Sequence, residues 1–437
     1  MPTAPSPRAG PAAPVALARL PAGELELLRR AGRIARRLGY GLYLVGGPVR
    51  DLLLGRPSSD VDLMVEGDAS TLAQALAREL GGEVGTPSHF GTVKLRLPAR
   101  VVDVATARTE SYPHPGSLPV VAAASAVEDL CRRDFGINAL AVDLVPGRFG
   151  RLLDPCGGLP DVQRRRLRVM HARSFHDDPL RLIRAVRLLC RLGLRLEPRT
   201  RRLAKEAIAA GALDTLSRRR LQDELTLFLE EPALACQVRR AQALGLLGAL
   251  IPGITLDPGL LARLRCGVRG VDWLLRQPHH QPVERWLVVG LLLVAAAGEE
   301  AGLAAGHRLL PGKKAQHALV ALTVDRERWL DLIRAQPTPS VLTTHLDALP
   351  AEAVLALACY LPPPLRSVLR RYLARWRHLR ARLGGRDLLA LGFTPSSRWR
   401  EVLAELRAAR LDGRARTRRD EVSLAVSLLA EQGLPSP

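Results

Sequence analysis

One stretch constrains this 437-residue chain more than any other: LYLVGGPVRDLLLGRPSSDVDLMVEG, from Leu42 to Gly67. The apolar run Leu42 to Val45 reads as a buried strand that breaks at Gly46-Gly47. PVRDLLLG follows, with Pro48 where a first helical turn accepts proline and Gly55 where a helix stops. After a polar turn at Arg56 to Ser59, DVDLMV alternates acidic and apolar residues. That pattern predicts Asp60 and Asp62 on one face of a second strand, about 6.5–7 Å apart at Cα. Backbone N–H groups at a glycine turn before a helix can approach phosphates closely, and Arg50 adds positive charge one turn on. Two co-facial carboxylates suit a hard divalent cation that shares its coordination with water and triphosphate oxygens. Taken singly, the turn is an ordinary loop and the DxD a solvated acidic bend; their succession in one stretch favours phosphate and metal chemistry.

The rest of the chain supplies a partner for that chemistry. Lys and Arg number 64 against 43 Asp and Glu, a formal charge of +21 that points to a polyanion; GC-rich coding accounts for the preference for Arg over Lys but not for the size of the imbalance. The six cysteines include no CxxC pair and no histidine partner at zinc spacing, so no structural zinc is expected. The apolar run Trp286 to Ala297 is too short to span a bilayer and reads as a buried helix, so no membrane partner is expected. Residues 1–21 read as a disordered Pro/Ala-rich tail without the pattern of a signal peptide, and the cytoplasm is the expected compartment.

Helical spacing covers Gly23 to Leu38 and Ala69 to Leu80, the latter closed by Gly81-Gly82. HFGTVKLRL and RVVDVATAR alternate as a hairpin through Pro98-Ala99, which makes Asp103 either a third carboxylate facing Asp60 and Asp62 or a polar residue on a half-buried strand. Three prolines and a glycine between Thr109 and Val121 predict a loop. Glu128 and Asp129 then open a helix that runs into Arg132-Arg133-Asp134, either an always-charged fork for a nucleotide or an exposed ion-pair cluster. In SFHDDPLRLIRAVRLLCRLG, Asp177 and Asp178 open a helix and Arg181, Arg184 and Arg187 follow at three-residue steps. The plain reading is a salt-bridged amphipathic helix with Asp177 and Asp178 paired to Arg181. From Phe175 onward the pattern is helical throughout, with no strand expected.

The order GG, RD, DxD resembles the nucleotidyltransferase motif of the DNA polymerase β superfamily, and the longer string GGPVRDLLLGRPSSDVDL is similar to class II tRNA nucleotidyltransferases and the related bacterial poly(A) polymerases. EDLCRRDFGINAL, LLDPCGG around Asp154, the DDPLR segment and residues 385–421 resemble further family segments. The resemblance implies an α+β fold: a polymerase β-like mixed-sheet head (22–160), then an all-α neck (161–230), body (231–380) and tail (381–437). It implies Asp60 and Asp62 as Mg2+ ligands and, with Asp103, as the catalytic carboxylates. Gly46, Gly47, Arg50 and Arg133 would bind the nucleotide, Asp178 and Arg181 would read the base by hydrogen bonds, and Arg184 and Arg187 would support them. Asp177 stands where the family usually has Glu. The implied partners are tRNA, ATP and CTP. Full CCA addition ranks first, terminal A addition close behind, then poly(A) synthesis, disfavoured by the neutral LAEQGLPSP end, and last a non-catalytic RNA-binding protein, which has no need of the carboxylates. CC-only addition ranks well below the first two, because enzymes restricted to it resemble one another in a shortened 109–121 loop, which this chain retains.

Overall fold

The computed structural model describes residues 17–57, 60–279, 282–393 and 398–431. The expected disordered tail falls outside these as far as residue 16, and Leu17–Arg19 form a single 3-10 turn with Leu17 buried.

Helix α1 (Ala22–Arg37) buries Leu28, Ala31, Ile34 and Ala35 along one face. It crosses the sheet so closely that a Cβ at Gly32 would lie 1.8 Å from the Leu144 carbonyl oxygen, which leaves room for glycine only. The chain continues through β1 (Gly41–Val45), α2 (Gly47–Leu53), β2 (Asp62–Glu66), α3 (Ala69–Leu80), β3 (Glu83–Val84), β4 (Thr92–Leu97) and β5 (Arg100–Thr106). A separate hairpin of β6 (Arg108–Ser111) and β7 (Val120–Ala123) precedes α4 (Ala126–Cys131), β8 (Ala141–Asp143) and β9 (Leu152–Leu153). Seven strands form one mixed sheet in the order β3-β4-β5-β2-β1-β8-β9. β1 runs antiparallel to β2 with Leu44 opposite Leu63, and β2 runs parallel to β5 with Asp62 opposite Asp103.

The period of two explains the layers. Leu42, Leu44, Leu63 and Val65 are 0–2% exposed on the face covered by α1 and α3. Each such burial contributes about 1.5–3 kcal/mol. Tyr43, Val45 and Met64 point the other way and pack with Ala126 and Leu130 of α4. Helix α3 has the bounds its periodicity predicts: the Asp68 side chain accepts from Thr71 N at 2.7 Å at its start, and Gly81 at φ +71° ends it.

Three local readings change. The loop expected over 109–121 is strand at both ends, because Arg108 to Ser111 pairs with Val120 to Ala123, and only the Pro/Gly-rich segment between them is irregular. A strand does occur after Phe175: Arg195–Leu196 (β11) pairs in parallel with Arg166–Leu167 (β10). Two-residue strands carry no periodicity for a sequence to display. Asp177 and Asp178 do not open one helix either. Of the helices α5 (Gly158–Gln163), α6 (Ser174–Asp177), α7 (Leu180–Leu192), α8 (Pro198–Ala209) and α9 (Arg218–Glu230), α6 ends at Asp177 and α7 begins after Pro179, since Asp178, the residue before a proline, is extended at φ −136° and ψ 94°.

The chain divides into two compact units, residues 1–220 with 243–246, and residues 221–242 with 247–437. The second is helical among its described residues. Its helix Arg285–Ala295 is buried from Leu287 to Ala295 and packs against the helices Pro258–Leu274, Glu299–Leu309, Lys313–Thr323 and Ala351–Ala358. Leu383, Leu388, Phe393, Val402, Leu406, Ala425 and Leu429 form a separate apolar cluster near its C-terminal end. Among the described residues no single helix is long and apolar enough to cross a membrane.

Candidate active site

All eleven residues singled out in the sequence line one cleft of about 950 Å3 in the first unit. The cleft opens where β1 turns into α2. Gly46 sits at φ +71° and ψ −127°, a conformation that side chains oppose, and its N–H donates to Leu140 O at 3.1 Å. A Cβ at Gly46 would lie 2.9 Å from Arg133 Nη1, so the turn is pressed against that guanidinium. Arg50, expected at the nucleotide, has its guanidinium engaged by the protein. It is 3% exposed, donates twice to Asp51 at 2.9 Å, and donates through Nη1 to Asn138 Oδ1 at 2.7 Å. Its charge therefore reaches the cleft from a locked position behind the turn.

Strand β2 starts at Asp62, so Asp60 stands just ahead of the strand instead of within it. The ladder still reaches back this far, because Asp103 N donates to Val61 O at 3.0 Å. Asp62 and Asp103 are thereby neighbours across a parallel pair, and Lys94 donates to Asp103 at 3.1 and 3.3 Å. Burial, then the charges of Asp103 and Asp60, push the Asp62 carboxyl up to about 6, with Arg133 and Lys94 acting in the opposite direction. A buried carboxyl raised beside two further aspartates suits a cation. Among the described residues no three acidic, His or Cys groups close on a single point.

The arginines are set by buried acids. Asp129, 1% exposed on α4, receives Arg132 at 2.6 and 3.1 Å on Oδ1 and Arg133 at 2.9 and 3.2 Å on Oδ2. Burial would raise this carboxyl, but the two guanidiniums outweigh it and hold it below the usual range. Arg132 also binds Glu110 of β6, which takes Arg108 at 3.3 Å and the Tyr112 hydroxyl at 2.9 Å. Burial and then Glu110 push the Tyr112 phenol up to about 12. Asp134 accepts from Phe135 N at 2.8 Å, Asn138 at 3.0 Å and Arg184 at 3.4 Å. Asp154 accepts from Gly158 N at 2.6 Å and Leu159 N at 2.9 Å at the start of α5, the ordinary work of a turn.

Asp178 and Arg181 are 6% and 3% exposed at the cleft wall. The expected side-chain pairing of Asp177 and Asp178 with Arg181 does not form, and Arg181 meets Asp178 through the backbone, its N–H donating to the Asp178 carbonyl at 3.1 Å. Arg181 donates to Ser174 Oγ at 2.6 Å and Arg132 O at 3.4 Å, while its Nε is buried with no acceptor among the described residues. Asp178 Oδ1 accepts from Arg220 at 3.0 Å and Leu180 N at 3.3 Å, and Asp177 accepts from Arg173 at 3.4 Å. The break at Pro179 turns the aspartates off the axis of α7, which is why helical spacing misassigned their partners.

Two residues escaped the sequence reading. Asp129 was legible in principle, since it stands three and four residues before the arginines it binds. Arg220 was not, because 42 residues separate it from Asp178.

A mixed sheet whose central parallel pair carries facing aspartates, next to a glycine turn and an arginine fork, defines the head of a nucleotidyltransferase. Residues 42–168 match the Poly A polymerase head domain family. The chain is 36% identical over 94% of its length to an A-adding tRNA nucleotidyltransferase of Geobacter sulfurreducens, of which it covers 47%, and 31% identical to one of Halalkalibacterium halodurans, with 92% of each chain covered. It is 34% identical to a CC-adding tRNA nucleotidyltransferase of Deinococcus radiodurans, over 91% of this chain and 90% of that one. Among solved structures, the Thermotoga maritima CCA-adding enzyme complexed with tRNA superposes at a TM-score of 0.74 and 27% identity, covering 95% of this chain and 99% of that one. The chain belongs to the tRNA nucleotidyltransferase family and is an enzyme of that class.

Proposed function

We propose that this enzyme adds the terminal AMP to tRNA ending in CC, using ATP and no nucleic-acid template. The observation that carries the reading is the meeting, in one cleft, of the three aspartates, the Gly46 turn and the Asp178–Arg181 pair. The relatives of this chain named as A-adding favour A over the full CCA addition that prior frequency ranks first. The retained 112–119 loop argues against CC-only addition.

Asp60 and Asp62 would hold divalent ions, by their chemistry Mg2+, which supply charge neutralisation at the triphosphate and acidify the tRNA 3′ hydroxyl. Asp103 keeps Asp62 electrostatically frustrated and so ready for a cation. The Gly47 amide and Arg133 receive phosphate oxygens or ribose, while the Gly46 N–H stays on Leu140 O, with Asp129 fixing the Arg133 guanidinium and Arg50 fixing the turn through Asp51 and Asn138. Asp178 Oδ1 is occupied by Arg220 and Leu180, and Oδ2 bears no bond among the described residues. Oδ2 can accept from the exocyclic amine of adenine while Arg181 donates to a ring nitrogen. Arg184 and Arg187 support this wall. The 3′ hydroxyl attacks the α-phosphate in line, its proton is lost to solvent or a neighbouring base, and pyrophosphate leaves.

Transcripts ending before CCA, after C and after CC, each incubated with labelled ATP and CTP, test the assignment. AMP incorporation only onto the CC-ended transcript is expected. CMP followed by AMP on the shortest transcript would identify a full CCA enzyme, and CMP alone would overturn the loop argument.

A further inference from the structure

The segment between β6 and β7 is held down at its tip. Gly116 turns at φ +70°, its N–H donates to the Asp177 carbonyl at 3.3 Å, and a Cβ there would lie 2.4 Å from Thr215 Oγ1. Arg220, in the first turn of α9, reaches under this tip. Its Nη1 donates to the carbonyls of Gly116 at 2.7 Å and Ser117 at 3.1 Å, and its Nη2 donates to Asp178 Oδ1 at 3.0 Å. The Arg220 side chain is 20% exposed and that of Asp178 9%, so water competes weakly for these bonds. A guanidinium is planar, and its two terminal nitrogens hold a fixed angle. Turning the Asp178 carboxylate therefore breaks the Nη2 bond or tilts the plane away from the two carbonyls. Lifting the tip leaves Nη1 without its acceptors and frees the plane to rotate.

We infer that Arg220 is a specificity-determining positioning residue: it couples docking of the 112–119 segment to the orientation of the Asp178 carboxylate, so the base-reading edge is set only while the tip is down. The inference rests on the proposed role of Asp178 as a base reader. Arg220 spends its guanidinium on Gly116, Ser117 and Asp178, and it acts through Asp178.

The test uses the full chain, tRNA ending in CC, and kcat/KM measured separately for ATP and CTP. Arg220→Ala lowers the ATP-to-CTP ratio fivefold or more, the low end of ordinary coupling between sites. Arg220→Lys keeps the charge but cannot span the carbonyl pair and the carboxylate, so it lowers the ratio as the alanine does. Gly116→Ala evicts the tip while leaving the guanidinium intact and shifts the ratio in the same direction, and the double variant Gly116→Ala/Arg220→Ala is no worse than the worse single one, because both remove the same tether. A wild-type ratio in Arg220→Lys would overturn the tether, as would a uniform fall in kcat for both nucleotides. If Arg220→Ala does not fold, Arg220→Lys and Gly116→Ala decide alone. Asp178→Ala separates the two levels: an unchanged ratio there removes the base-reading assignment itself, whereas a relaxed ratio there with wild-type behaviour in Arg220→Lys removes only the tether.

Discussion

Replacing Asp62 with asparagine should make the protein more stable while abolishing transfer. The Asp62 carboxyl ionises at about 6 in the folded chain against an ordinary 3.8. A gap of about two pH units corresponds to about 3 kcal/mol of folding free energy lost when the group is charged. Solvent at the open edge of the cleft trims this to about 2–3 kcal/mol. The sign follows from which state holds the proton more tightly. The folded state does, so the destabilisation is fully present above pH ~7, shrinks as pH falls through 6, and vanishes below about 4. Thermal melts of both proteins in a chelator at low salt read it out. A unit of this size moves about 2–4 °C per kcal/mol, so Asp62→Asn should melt roughly 4–12 °C above wild type at pH 8 and at the same temperature at pH 4. Added Mg2+ should raise the melting temperature of the wild type more than that of the variant, because the cation neutralises the charge that asparagine has already removed. Turnover should fall roughly a hundredfold or more, the usual scale for losing a preorganised charge at a reacting phosphate. An Asp62→Asn protein no more stable than wild type at pH 8, or a difference independent of pH, would refute the account of three mutually repelling carboxylates.

Asp129→Ala leaves Arg132 and Arg133 beside a buried void and should cost about 3–5 kcal/mol in urea unfolding, together with a raised KM for ATP. Gly46→Ala forces a side chain into a positive φ and against Arg133, a strain of about 1–3 kcal/mol, and should lower kcat/KM for ATP about tenfold or more in steady-state assays while tRNA affinity stays unchanged. Asp178→Ala should admit CTP, GTP or UTP more than it slows AMP addition; equal slowing with all four triphosphates would make the pair structural.

How much of this was legible in the sequence depended on the range of the interaction. Helix α3, the β4–β5 hairpin and the strand–glycine–helix order at Gly46 each follow from residues within one turn or one pleat of each other, and their periodicity stated them. The role of Asp129 lay within the same range, written as i,i+3 and i,i+4 spacing to Arg132 and Arg133. The pairing of Asp177 and Asp178 with Arg181 was a local reading too, and it failed because Pro179 interrupts the helix on which that spacing depends. Gly32 shows the opposite limit: within α1 it looks like a mild defect, and only the carbonyl of Leu144 pressing on it makes any other residue impossible.

By itself the sequence singled out the side chains that line the cleft, because carboxylates, glycines and guanidiniums in that order and spacing suit phosphate chemistry and the backbone of a tight turn. Tertiary structure alone decided which of those side chains spend their bonds within the protein. Burial, with the parallel pairing of β2 and β5 that set Asp103 against Asp62, raised the Asp62 carboxyl, Arg50 turned inward to Asp51 and Asn138, and the start of α9 brought Arg220 between Asp178 and Gly116. Each of these is a contact between segments distant in the chain, and its energy depends on desolvation and close approach, which no single stretch of sequence specifies.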